Sequence, residues 1–293
     1  MRILEPKQLK TERPKRKHGV SKIVPITIVL ALLIGLGVYV YALRYVTSAP
    51  VVNNETIDED TPPVDDPFSI VQKPLKQLSG DGFKDLYLAV AYPNTQEIVD
   101  PPPITGNSGA DARIRAAAEA RGYRLSRIPM GAIVKLENEP RLDGDDLLQA
   151  LAANAWYKLK DAARRDGFPI SLISAYRSPQ YQRDLFTQRL FDRGVTAEQL
   201  ASGAGDSAIN AVLEITAVPG FSRHHTGYTV DFWCEDGSTS FLGSSCYKWI
   251  SADGYRKAME FGWIPSYPEG ASEQGPEPEP WEYVWVGDAV RQQ

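Results

Sequence analysis

Two of the three histidines in this 293-residue chain, His224 and His225, stand side by side in the run PGFSRHHTGYTVDFW (Pro219–Trp233). An aspartate, Asp231, follows seven positions after the first. Neutral imidazole and carboxylate are ordinary ligands of zinc. The Thr226-Gly227 pair between them offers a turn, and Tyr228–Trp233 is rich in β-branched and aromatic residues, as a strand should be. In an unbroken strand, positions 224 and 231 would face opposite sides, because side chains alternate. A bend at Thr226-Gly227 is therefore needed to aim both at one point. Without it the stretch is a strand with a polar turn and a surface histidine pair.

Two other places carry groups suited to chemistry. Arg177 falls between a strand-like run, Ile170–Tyr176, and Ser178-Pro179, an N-cap and first-turn pair opening a helix to about Asp192. A side chain at such a junction projects from a rigid support; the alternative is a solvated surface arginine. Near the C-terminus, PEPEPWEYVWVG holds Glu279 and Glu282 on either side of Pro280-Trp281, and the proline forces a turn between them. Two carboxylates at such a bend can supply a general base and a metal ligand. The other reading is an exposed acidic loop that also includes Glu277.

The elements that must position these groups follow from periodicity and punctuation. Ala110–Arg121 is a helix ending at Gly122. Asp145–Arg165 is another, with Leu148, Leu151, Ala155, Leu159 and Ala162 at helical spacing and Asp145 and Asp146 at its positive end. Helical segments are expected over Thr196–Ser202, Asp206–Ile215 and Tyr247–Phe261, and strands over Asp85–Tyr92 and Tyr283–Val286. These elements describe an α+β fold: a small mixed or antiparallel sheet flanked by helices, preceded by one transmembrane helix.

That helix is Ile23–Leu43, twenty-one residues without a charge, long enough to cross a bilayer. Residues 1–44 carry nine Lys/Arg against two acids, and only Arg44 follows the apolar run. The positive-inside rule places the N-terminus in the cytoplasm and the remainder outside. Since the whole chain has a net charge of -5, the part beyond residue 44 is strongly acidic. That part lacks the basic footprint of a nucleic-acid binder. Val46 to about Lys73, rich in Pro, Asp and Asn, reads as an extended linker. In an extracytoplasmic domain Cys234 and Cys246 are a disulfide candidate, worth about 3 kcal/mol by chain entropy. Zinc ligation by the two thiols is the rival, but it lacks a second cysteine pair.

Taken together, the three chemical stretches resemble one family, the zinc D-alanyl-D-alanine and L,D-carboxypeptidases of the VanY type, which trim peptidoglycan stem peptides. The resemblance covers about Leu147–Gly287. Residues 174–182, SAYRSPQYQ, look like the family's SxYRS…Q element, which implies substrate binding by Arg177 and Gln182. Residues 222–231, SRHHTGYTVD, look like its SxHxxGxxxD element. This implies zinc ligation by His224 and Asp231, with Ser222 on the substrate side. Residues 279–287, EPWEYVWVG, look like its EPWH…VG element, which makes Glu279 the catalytic base.

The sequence departs from the family at the third zinc ligand, a histidine after Pro-Trp, where this chain has Glu282. Either Glu282 completes a His, Asp, Glu set, with manganese more competitive against zinc, or metal binding is lost and the fold only binds peptides. If the centre is intact, Arg177 stabilises the developing oxyanion or holds the substrate's terminal carboxylate. The expected organisation is a cytoplasmic tail (1–22), a transmembrane helix (23–43), a linker (44–75), an accessory α/β section (76–145) and a metallo-carboxypeptidase-like domain (146–293). Peptidoglycan stem peptides and the cell membrane are the expected partners.

Overall fold

A row of three polar residues across one antiparallel sheet positions the chemistry, and the rest of the fold supports that sheet. The computed structural model describes residues 74–139 and 146–293. The expected basic tail, membrane span and nearly all of the linker lie outside the described residues, as does Asp145. Among the described residues no helix is long and apolar enough to cross a membrane.

In chain order the elements are α1 (Gly80–Ala89), β1 (Thr95–Glu97), α2 (Ser108–Ala120), β2 (Arg127–Pro129), β3 (Val134–Lys135) and β4 (Leu147–Leu148). Then come α3 (Ala150–Arg165), β5 (Ile170–Ser174), α4 (Pro179–Phe191), α5 (Ala197–Ser202) and α6 (Asp206–Leu213). A 3-10 turn (Arg223–Thr226) leads into β6 (Thr229–Cys234), α7 (Ser245–Glu260), β7 (Trp263–Pro265) and β8 (Glu282–Trp285). Strands β5, β6, β8 and β7 form one sheet in that order, with every neighbouring pair antiparallel. Pairs β1–β2 and β3–β4 are separate small ladders. The fold is thus α+β, with small antiparallel sheets and flanking helices.

The main core fills one face of the sheet. Val230 and Phe232, two apart on β6, pack there with Trp156 of α3 and Trp263 of β7. The Phe232 ring lies 5.4 Å from Trp156 and 4.7 Å from Tyr283. Each such side chain contributes roughly 1.5–3 kcal/mol on burial. A second cluster, with Ile114 of α2, Phe186 and Leu190 of α4 and Val212 of α6, holds α4 from behind. Cys234 and Cys246 form a disulfide, so the cysteines tie the end of β6 to the start of α7 and take no part in a metal site.

Two sequence expectations are overturned. Asp85–Tyr92, expected as a strand, lies largely within helix α1. Its β-prone residues are outweighed by the Ser79 cap, which accepts from the Gly82 N–H, and by Phe83 and Leu86, which share the helix's buried face. The helix expected from Asp145 begins at Ala150, because Leu147–Leu148 pair with Val134–Lys135 as a strand. Its buried face runs through Ala152, Trp156, Leu159 and Ala163, leaving Leu151 half exposed.

Candidate metal centre

Sheet register brings the acidic groups together. Ser174 of β5 pairs with Asp231 of β6, and Asp231 pairs with Glu282 of β8, so three side chains form a row on one face. Register partners with like charge repel, and both carboxylates are 4% exposed. An uncompensated pair at this position is therefore costly.

His224 reaches the same point from the 3-10 turn. Gly227 makes this possible: it adopts the left-handed conformation at φ 73°, donates to the His224 carbonyl and accepts from the Gln149 N–H at 2.9 Å. This is the bend required between positions 224 and 231. The His224 ring is fully buried, and its Nδ1 lies 2.6 Å from the Ala175 carbonyl oxygen. A proton on Nδ1 leaves the Nε2 lone pair facing Asp231 Oδ1 and Glu282 Oε2, each at 3.2 Å. Ligand atoms about 2.0–2.1 Å from a tetrahedral ion lie roughly 3.3 Å apart, so these spacings suit zinc. The carbonyl behind Nδ1 is the support that orients a metal-binding histidine. The second oxygen of Glu282 is buried without a hydrogen-bond partner, and the three donor atoms lie within 4.8 Å of one another. One imidazole and two carboxylates so placed fit a divalent cation.

Without a cation, a proton provides the compensation. Burial depresses the His224 pKa and Arg177 opposes protonation, but the Asp231 and Glu282 carboxylates override both and raise it to about 9. Burial pushes Asp231 up, yet His224 and Arg177 hold it below the usual carboxylate range.

Arg177 and Glu279 flank this centre. Burial opposes the Arg177 charge, while Asp231, Glu282 and Glu279 stabilise it and raise its pKa overall. Its Nε donates to Ser174 Oγ at 2.7 Å, and a terminal nitrogen pairs with Asp231 Oδ2, leaving Oδ1 for a cation. Glu279 and Glu282 close a turn through the Glu282 N–H and the Glu279 carbonyl at 3.1 Å, with Pro280 at its second position. Burial, then the neighbouring Glu282 and Asp231, raise the Glu279 pKa well above the ordinary value. Glu277 points away and pairs with Arg121 at 3.6 Å.

A cleft of about 340 Å³ opens beside these groups. The α4 face carrying Gln182, Leu185 and Arg189 lines one side, and Ser222, Tyr267 and Trp281 line others. Gln182 gives its amide N–H to the Ala217 carbonyl at 2.7 Å, while its Oε1 has no hydrogen-bond partner. Ser222 is buried at the mouth of the 3-10 turn. Six of the seven residues singled out in the sequence thus line one cleft, and the seventh, His224, is buried beside it against Asp231 and Glu282. Sequence reasoning gave Ser174 no role, because alternation from Leu172 would place it on the core face, and only a register shift between Leu172 and Ser174 brings it beside Asp231. Trp281, between the two glutamates, is exposed at the cleft.

Fold and site define a class: an α+β domain with a divalent-cation donor set beside an acid and a guanidinium at the edge of a cleft. Residues 145–288 match the VanY family model, described as D-alanyl-D-alanine carboxypeptidase, so in this region the chain is similar to the VanY-type carboxypeptidases. A D-alanyl-D-alanine carboxypeptidase of Enterococcus faecalis (strain ATCC 700802 / V583) is 36% identical over 166 residues, covering 56% of each chain. The chain spans about half the length of the curated relatives it matches. Among solved structures, a VanY D,D-pentapeptidase variant from the VanB-type vancomycin-resistance cassette, in complex with Zn(II), is 26% identical. It covers 57% of this chain and 88% of its own, with a TM-score of 0.43. The LdcB LD-carboxypeptidase is 24% identical, covering 54% and 68%, with a TM-score of 0.40.

Proposed function

We propose that this protein is a membrane-anchored, metal-dependent carboxypeptidase that releases a C-terminal D-amino acid from peptidoglycan stem peptides. The observation that carries this reading is the convergence of His224, Asp231 and Glu282 on one buried point, with Glu279 and Arg177 beside it in an open cleft. His224, Asp231 and Glu282 would hold zinc, with manganese competing because two of the three donors are hard carboxylates. When bound, the cation supplies Lewis-acid polarisation of the scissile carbonyl and acidifies water.

The chain's own groups carry the remaining steps. The Glu279 carboxylate takes the proton of the attacking water and returns it to the leaving amine as the C–N bond breaks. The products are a shortened peptide carboxylate and a free D-amino acid. Arg177, held rigid by Ser174 and Asp231, donates to the developing oxyanion or to the substrate's terminal carboxylate. The unpartnered Gln182 Oε1 accepts from a peptide N–H, and Ser222 lines the same cleft. The apolar run Ile23–Leu43 would anchor the chain, with its cleft outside the cytoplasm.

The test is hydrolysis by the purified full chain, loaded with zinc or manganese, of stem peptides ending in D-Ala-D-Ala or in L-residue-D-Ala. Release of D-alanine from one or the other assigns the bond cut, and Glu279→Gln should abolish it. A second reading, a peptide-binding module without turnover, is favoured by the carboxylate at position 282. It predicts stem-peptide binding that persists after chelation and is indifferent to Glu279→Gln.

A further inference from the structure

His224 and His225 are successive residues of one 3-10 turn, yet they grip alternate carbonyls of a single connector. His224 Nδ1 lies 2.6 Å from the Ala175 carbonyl oxygen, and His225 Nδ1 lies 2.6 Å from that of Arg177. Between them, the Tyr176 N–H donates to the Leu147 carbonyl at 3.0 Å. The path from β5 to α4 is thus held at each residue. His225 Nε2 accepts from the Gly220 N–H at 3.1 Å. A ring that donates at Nδ1 and accepts at Nε2 is neutral imidazole in one tautomer. This ring is fully buried with both nitrogens satisfied, and it takes no part in the donor set formed by His224, Asp231 and Glu282.

The Arg177 side chain leaves the same backbone in the direction of the centre, where it meets Ser174 and Asp231. We propose that His225 is a positioning residue: its Nδ1–H bond to the Arg177 carbonyl fixes the backbone from which the Arg177 guanidinium reaches the cleft. The contribution of Arg177 to turnover rests on the proposed hydrolase function; the positioning itself rests on the hydrogen bonds. A displacement of about 1 Å in such a group can cost on the order of 100-fold in rate.

Two near-isosteres separate the two nitrogens. His225→Asn puts an amide near the Nδ1 position and keeps the donor to Arg177. His225→Gln reaches the Nε2 position and keeps only the Gly220 contact. The first readout, independent of activity, is the Arg177 Nε–H resonance of the full chain, assigned through Arg177→Lys and followed by hydrogen exchange. The second is kinetics on a D-alanine-terminated stem peptide, with zinc affinity measured in parallel.

His225→Asn should keep the slow-exchanging Nε–H and hold kcat/KM within about threefold, whereas His225→Gln should lose the signal and fall about 10- to 100-fold. Both should bind zinc like the parent. A fall in kcat alone assigns Arg177 to the oxyanion, and a rise in KM alone to the terminal carboxylate. The proposal is overturned if Gln preserves the Nε–H, or if Asn does as much damage as Gln. A wild-type ring protonated at Nε2, read from its nitrogen shifts without any variant, overturns it too. Absent turnover with the Nε–H pattern intact would sink the hydrolase reading and leave the positioning role standing.

Discussion

A carboxylate opposite Asp231 in register changes what the centre must hold. Two buried carboxylates and one imidazole neutralise a divalent ion fully, whereas a set with one carboxylate would leave a positive charge. Glu282→Ala should therefore lower zinc affinity by at least about 100-fold, since even residues that only support a ligand are worth 10- to 100-fold. Glu282→His should shift preference from manganese toward zinc, read by competition between the ions. If Glu282→Ala leaves affinity unchanged, Glu282 is not a ligand. The metal-free protein also has a signed pH dependence. The folded-state pKa of His224 is raised from 6.5 to about 9 and that of Glu279 is raised as well, so the folded form holds both protons more tightly than the unfolded chain. The His224 contribution is complete below about pH 6.5 and is lost as pH rises toward 9. Thermal scans of chelated protein should show Tm falling across that window, with the increment restored by zinc growing with pH because binding displaces protons. A chelated protein whose Tm is flat from pH 6.5 to 9 would show that His224 is not protonated in the fold.

Elements with explicit punctuation were legible, and those decided by packing were not. Ser178-Pro179 announced α4, and the structure shows Ser178 Oγ accepting from the Tyr181 N–H at 3.1 Å. Removing that cap in Ser178→Ala should cost about 1 kcal/mol, measured as a lowered urea midpoint with unchanged m. Gly122 marked the end of α2 for a second reason besides its φ of 96°: a Cβ there would lie 1.9 Å from the Glu273 carbonyl oxygen. The disulfide was legible from spacing. Its 12-residue separation implies about 3 kcal/mol, which Cys246→Ser should remove under oxidising conditions. By contrast, nothing within Asp85–Tyr92 says helix more strongly than strand, because the deciding contacts come from distant rings such as Tyr255, 5.5 Å from Phe83. The convergence of the site was legible only in part. The motifs named the residues that converge, but the pairing of Asp231 with Glu282 depends on strand order, which local pattern does not encode. His225, next to His224, points away from the centre on a 3-10 turn and toward a specific carbonyl, a placement the sequence pattern does not encode.

The region that matches the family begins at residue 145, but the core it depends on begins earlier. Phe83 and Leu86 of α1 and Tyr92 belong to the same buried cluster as Phe232 and Trp263. Arg223, next to His224, is sandwiched between Tyr87 of α1 and Tyr267, its guanidinium 3.8 and 4.0 Å from the ring centroids, and it donates to the Ser266 carbonyl. The section expected to be accessory therefore packs against the part of the domain that carries the cleft. Burial of Phe83 and Leu86 contributes roughly 1.5–3 kcal/mol each, and the stacked cation about 0.5–2 more. Set against the 5–15 kcal/mol typical of a whole domain, loss of α1 removes a large fraction of stability. Deleting residues 74–91 from the full chain should lower the urea midpoint sharply, expose tryptophan to quencher, and weaken zinc binding by loosening the turn that carries His224. Tyr87→Ala should do the same in smaller measure, chiefly on zinc affinity, because it frees one face of Arg223 while leaving Phe83 and Leu86 in place. Equal midpoints for the deletion and the parent would mean that the rest of the domain stands without α1 and that α1 merely leans on it.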